Sequence, residues 1–211
     1  MPVHVETGRR VNPDHSVQPQ RAWARVAGLI FWLVLVVDLT GMQLHSATVG
    51  RSLMLSGSLL TVPLAFGLFY ALRPVQTTLA VCALGFRLLE ASLGIVSTTV
   101  GFGSVRARLA GSSLGTELLH LSNWDHKTTF GAFSFTIGST LFFYLFVKSG
   151  YIPRVLAWLG LVASLIALAA CLTHLVRPAF PAMTMYAWIP MLLAETSTGL
   201  WLLIRSVKVA G

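Results

Sequence analysis

The chain has 211 residues, of which 55% are hydrophobic and 10% charged, against about 25% charged in ordinary soluble domains. That is too little charge to cover a soluble fold of this length, and the length suits one domain. Lys and Arg number 15 against 7 Asp and Glu; in a soluble protein this would suggest nucleic acid, but here the cations stand mainly between long apolar runs, where they act as topology signals beside anionic lipid and imply no nucleic-acid partner.

Residues 1–20 are polar, contain prolines and show no apolar face, so they read as a disordered tail. They hold no apolar segment of the kind a cleavable signal peptide needs. Residues 21–211 then read as one transmembrane domain. Six apolar runs, at about 22–42, 53–73, 77–101, 127–147, 154–176 and 182–205, are each long enough for a helix to cross a hydrocarbon core of about 30 Å, which takes about 20 residues. They are too long for strands and do not alternate, and a bilayer admits only helices or closed barrels. The expected fold is therefore all-α, a polytopic transmembrane bundle of six helices. Short connections at Arg73–Gln76 and Lys148–Pro153 make helical hairpins, with Pro or Gly ending each helix.

The longest connection, about 102–126, carries Val105, Leu109, Leu118 and Leu119 among Arg106, Arg108 and Glu117. It reads either as a plain outer loop or as an interfacial helix interrupted by Gly111-Ser112-Ser113. With the N-terminus cytoplasmic, the inner side carries Arg9, Arg10, Arg21, Arg25, Arg73, Lys148, Arg154, Arg205 and Lys208. The outer side carries Arg51, Arg106, Arg108, Lys127 and Arg177, and nine cations against five puts both termini inside. Trp23, Tyr70, Trp124, Tyr144, Tyr186 and Trp188 fall near the expected interfaces. Cys82 and Cys171 lie in different runs at opposite depths, which argues against a disulfide.

Ionisable side chains within a membrane are costly and mark candidate sites. Four fall in the runs: Asp38 in the first, Arg87 and Glu90 in the third and Glu195 in the sixth. Arg87 and Glu90, three residues apart, share a helix face. They are read either as an internal ion pair pinning helices together or as part of a site. One guanidinium balances one carboxylate. The other two would be held neutral, or would bind a cation or a protonatable substrate. Glu195 follows Pro190 by five residues, which suggests a kink beside a carboxyl group, as in the broken helices of transporters.

The third run reads Glu90-Ala91-Ser92-Leu93-Gly94 and the sixth Glu195-Thr196-Ser197-Thr198-Gly199. Both fit Glu-x-Ser-x-Gly at mid-depth in the last helix of each half, the weak sign of a 3+3 inverted repeat. Glu90 and Glu195 are the candidate catalytic acids. Arg87, Asp38, Trp188, Ser92 and Ser197 are the candidate substrate-binding residues. On the outer side His45, His120, Asp125, His126 and His174 could approach one another as a metal site or proton relay. Their spacing matches no ligand signature, and neither a metal nor a cofactor is expected. Nucleotide-binding glycine loops, a nucleophile elbow and a Cys-x-x-Cys pair are absent from the sequence.

The stretches Leu72-Arg73-Pro74-Val75, Phe86-Arg87-Leu88-Leu89-Glu90-Ala91, Lys148 through Leu156, and Glu195 followed by Trp201-Leu202-Leu203 resemble a bacterial family of small six-helix membrane proteins, catalogued as domain of unknown function 4386. The resemblance covers roughly residues 22–206. It implies a multi-pass bacterial inner-membrane protein with no general assigned activity, and a pattern that includes Arg87, Glu90 and Glu195 but neither Asp38 nor the outer histidines.

Three functions stay open. The first is a membrane-embedded site that binds a lipidic or isoprenoid small molecule, or catalyses its reaction through a glutamic acid. The second is a proton-coupled transporter of a small cationic or apolar compound, for which six helices would favour a homodimer. The third is a non-catalytic membrane partner of chaperone, sensor or immunity type. The sequence leaves open whether the protein is an enzyme.

Overall fold

Buried in lipid, a backbone has no water to bond, so each apolar run must satisfy its own N–H and C=O groups. The computed structural model describes residues 14–44, 48–118, 120, 130–176 and 181–208. Its six long helices are α1 (Asp14–Gln43), α2 (Thr48–Leu72), α3 (Thr77–Leu109), α4 (Phe130–Ser149), α5 (Arg154–Val176) and α6 (Pro181–Arg205). Each contains a stretch long and apolar enough to cross a membrane. No strand occurs among the described residues.

Each helix packs on its neighbours in sequence, and α6 returns to α1. The six therefore close into a ring, with α2 touching α4 lightly across it. The outside of the ring is apolar: Val96, Val155, Val176, Leu193 and Ile204 are all well exposed, as lipid-facing residues are. Polar groups lie inside instead. Thr61, Arg87, Ser134, Thr136, Ser139, Ser164 and Thr198 are buried. Several of the hydroxyls stay satisfied by bonding back to their own helix, as Thr61 does to Gly57 O and Ser164 to Leu161 O.

Two boundaries differ from the sequence reading. First, α1 begins at Asp14, so residues 14–20 are helix and not tail. The reason is tertiary: Gln20 is buried, and its Nε2 donates to Ala71 O at 2.6 Å. Second, α3 does not stop near 101. It runs 33 residues to Leu109, roughly 50 Å at 1.5 Å per residue, and so extends past the hydrocarbon core. The chain then turns at Gly111, which takes φ +74°. A short helical segment at 114–118 folds back on the end of α3, where a Cβ on Gly115 would stand 2.7 Å from Arg108 N. The remainder of the outer connection, 121–129, lies outside the described residues.

The six candidate crossings among the described residues put the start of α1 and the end of α6 on one side. That side is tied together by hydrogen bonds between distant segments. Ser206 Oγ donates to Arg21 O, Lys208 N to Tyr151 O and Lys148 Nζ to Gln76 Oε1, at 2.9, 2.9 and 2.8 Å. The α4–α5 hairpin there ends α4 as expected, with Gly150 at φ +64°.

The ring gives the 3+3 inverted repeat no support. A two-fold axis in the membrane plane reverses the order of helices seen in projection, whereas α1–α3 and α4–α6 follow one another in the same rotational sense. The two glycines of the Glu-x-Ser-x-Gly elements agree with this. Gly94 of α3 packs against Ser58 of α2, so a true repeat would set Gly199 of α6 against α5; it packs instead on Phe31 and Trp32 of α1.

Candidate functional site

The four intramembrane ionisable residues come from three helices, and the ring brings them to one place. Asp38 from α1, Arg87 and Glu90 from α3, and Glu195 from α6 all line a single cavity of about 130 Å³. Its walls are Phe31, Trp32 and Leu35 of α1, Thr61 and Leu64 of α2, and Phe135 of α4. Among the described residues, Arg87 is the one cation there beside three carboxyl groups.

Arg87 is the most deeply placed of the four, 4% exposed, and its Nη1 stands 2.9 Å from Glu90 Oε2. Three features of other helices seat it. Its guanidinium lies over the Phe135 ring, 4.7 Å from the centroid, a favourable cation–π placement. Gly138, one turn further along α4, leaves room for the aliphatic stem, since a Cβ there would stand 3.0 Å from Arg87 Cγ. Trp188 of α6 backs the Phe135 ring at 5.6 Å between centroids. Trp188 thus sits behind the site, holding Phe135, and not on the cavity wall.

The glutamates are only partly buried, Glu90 being 22% exposed, and what they face is the cavity. Asp38 is held against α2 at Gly57, where a Cβ would fall on its Oδ1. The glycine is what allows a carboxylate to lie between the two helices. Ser92 and Ser197 do not line the cavity; each bonds a carbonyl of its own helix, Leu88 O at 2.8 Å and Leu193 O at 2.6 Å.

Toward the face that carries the termini, the cavity gives way to a smaller one of about 10 Å³. It lies among Phe142, Phe143 and Phe146 of α4, and Phe31, Arg87 and Glu195 line both. Thr198 lines it too; its Oγ1 is buried and has no hydrogen-bond partner among the described residues. The phenylalanines and the hydrogen bonds beyond them close the ring on that face. The larger cavity lies in the other half, where Leu39 both lines it and is 47% exposed. On the α1–α6 seam the close backbone packing is at Gly28, where a Cβ would stand 2.8 Å from Gly199 O. That point is nearer the termini than Leu39.

α6 is one continuous helix through Pro190, so Glu195 does not stand at a broken helix. Among the described residues no group of three or more His, Cys, Asp and Glu could hold a metal ion, and this includes the three cavity carboxylates. His120 and His174 fall among the described residues; His45, Asp125 and His126 lie outside them. Cys82 and Cys171 are both free.

Sequence reasoning found the charged members of the cavity and missed its walls. Phe31, Trp32, Thr61 and Phe135 look like ordinary members of apolar runs. Gly57 and Gly138 gave a partial signal, as glycines within spans whose neighbours include serine.

A sequence model of a family described as a domain of unknown function, DUF4386, matches residues 40–206. The match contains Arg87, Glu90 and Glu195 and begins two residues after Asp38. No curated protein and no solved structure matches the chain.

Proposed function

The chain belongs to the DUF4386 family, whose description assigns no activity, and we propose from its cavity that it is a membrane-embedded binding site for a small, mainly apolar molecule of lipidic or isoprenoid kind. Glu90 and Glu195 are its working acids. The observation that carries this reading is the convergence of Asp38, Arg87, Glu90 and Glu195 on one aromatic-walled cavity. A structural ion pair would need only Arg87 and Glu90. Ionisable groups are expensive in a membrane, and that pair leaves two further carboxyl groups, from α1 and α6, to be accounted for. A site walled off from bulk water would also suit acid catalysis, with a protonated glutamate giving its proton to a bound alkene or ether oxygen.

The test is ligand-dependent stabilisation of the full chain in lipid nanodiscs against a panel of isoprenoid and fatty compounds. At least one compound is expected to raise the melting temperature of the wild type, with the shift reduced in Glu90→Gln and Glu195→Gln. The reading fails if no compound stabilises the wild type more than it does the double variant.

One observation favours a second reading, proton-coupled transport. The ring is closed by Phe142, Phe143 and Phe146 on the face of the termini, while the cavity lies in the other half. Access from one side at a time is what an alternating carrier requires. Uptake into proteoliposomes that followed an imposed pH gradient would select this reading over a static site; a homodimer would be the expected assembly.

The setting is a bacterial inner membrane with both termini cytoplasmic. Arg21, Arg25, Arg73, Lys148, Arg154, Arg205 and Lys208 are all exposed at the ends and hairpins of the face that carries the termini, which supports that orientation.

A further inference from the structure

We propose that the molecule this cavity takes is an organic monocation, a protonated amine or quaternary ammonium group on an aromatic or similarly apolar body. The inference rests on the small-molecule reading above and adds the sign of the charge. Three carboxyl groups, Asp38, Glu90 and Glu195, face one guanidinium, Arg87. Arg87 is already engaged by Glu90 at 2.9 Å and lies on the Phe135 face. Among the described residues no other charged side chain lines the cavity: α2 and α4 contribute Thr61, Leu64 and Phe135, and α5 contributes nothing.

An anionic ligand would find one guanidinium, whose Nε has no hydrogen-bond partner among the described residues, but two carboxyl groups in excess of it. A neutral ligand is compatible with these two acids only in their protonated form. A monocation answers one of these carboxylates, and its apolar body fits the Phe31 and Trp32 walls, where a cation is also attracted to aromatic faces. Among the described residues the three carboxyl groups do not gather into a group of three that could hold a metal ion.

A second observation points to a ligand independently of the acids. Thr198 Oγ1, in a residue 1% exposed, has no hydrogen-bond partner among the described residues and lies in the smaller cavity beside Glu195. Thr61, also buried, bonds its own helix at Gly57 O and shows that such a hydroxyl is ordinarily satisfied here. An N–H donor held by Glu195 would find in Thr198 Oγ1 a second acceptor.

The experiment is saturable binding of three matched probes to the full chain in nanodiscs, with empty nanodiscs subtracted. The probes are phenethylammonium, its neutral isostere propylbenzene and the anion 3-phenylpropionate. Phenethylammonium is expected to bind at least about tenfold tighter than either of the others, the worth of one charge-assisted hydrogen bond. Glu195→Gln and Asp38→Asn are each expected to weaken phenethylammonium about tenfold while leaving propylbenzene unchanged, a split that general unfolding would not give. Thr99→Ala, on an exposed face of α3, is expected to change nothing. If propylbenzene or 3-phenylpropionate binds as tightly as the cation, the charge preference is overturned and the small-molecule reading stands. If no probe saturates, the cation proposal falls, and the small-molecule reading is decided by the isoprenoid and fatty panel above.

Discussion

Arg87 shows how much neighbouring structure one charged side chain demands inside a membrane. It is bridged to Glu90, laid over Phe135 and given space by Gly138. Losing one partner of a buried pair costs more than losing both, because the survivor is left unpaired. Arg87→Ala is therefore expected to lower stability by roughly 3 kcal/mol, and Arg87→Ala with Glu90→Gln to recover part of that loss; a double-variant cycle of melting in mild detergent measures it. Equal losses in both would mean that the pair contributes only through packing. Asp38 makes the complementary case at Gly57. A methyl group there meets the Asp38 carboxylate, so Gly57→Ala is expected to cost about 1–3 kcal/mol, the usual price of overpacking. Adding Asp38→Ala should relieve it. Additive losses would place Asp38 elsewhere.

The helices themselves are held by where their glycines fall. At Gly28 the backbones of α1 and α6 come so close that a Cβ would stand 2.5 Å from Leu203 N. Small residues allow such contact, which is a main source of helix association where lipid removes the hydrophobic drive. Gly85 on α3, by contrast, is exposed, and a Cβ there would meet nothing within 4 Å. Gly28→Val is thus expected to lower the melting temperature clearly, and Gly85→Ala to leave it unchanged or raise it slightly, since Ala is the better helix former by about 1 kcal/mol. Melting curves in one detergent compare the two directly; a matching loss in both would argue against close α1–α6 packing. The exposed serines and threonines follow the same economy, with Ser92, Thr99 and Thr173 each bonding a carbonyl one turn back in its own helix.

For the whole molecule, the ring decides what is near what. It joins α6 to α1, so Glu195 and Asp38, 157 positions apart in the sequence, share one cavity. It also divides the protein into a closed face, tied at Ser206, Lys208 and Lys148, and an opposite half that holds the cavity. The orientation is testable with Ser112→Cys, which places a thiol on the exposed turn after α3. A membrane-impermeant maleimide is expected to label it in intact cells, while a cysteine added after Gly211 stays unlabelled until the cells are opened. The reverse pattern would invert the orientation, and labelling of both in intact cells would contradict six crossings.

The sequence by itself determined the helices and their number, because a run of apolar residues in lipid has one way to satisfy its backbone. It also marked Asp38, Arg87, Glu90 and Glu195, because charge within such a run is costly enough to stand out without a partner in view. It misjudged the start of α1, where Gln20 bonds α2, and it left 102–126 open between a loop and a helix interrupted at Gly111-Ser112-Ser113; the described part follows the second, with helix to Leu109 and again at 114–118. The sequence suggested an inverted repeat that the ring does not bear out, since three matched residue types carry no information about rotational sense. Only the tertiary structure decided that the four ionisable groups meet, that Phe135 and Gly138 seat Arg87, and that Trp188 stands behind the site while Ser92 and Ser197 turn away from it. Those are facts of helix order and rotation about the helix axis. They are fixed by side-chain packing between segments far apart in the chain, and hydropathy, which reads one segment at a time, does not contain them.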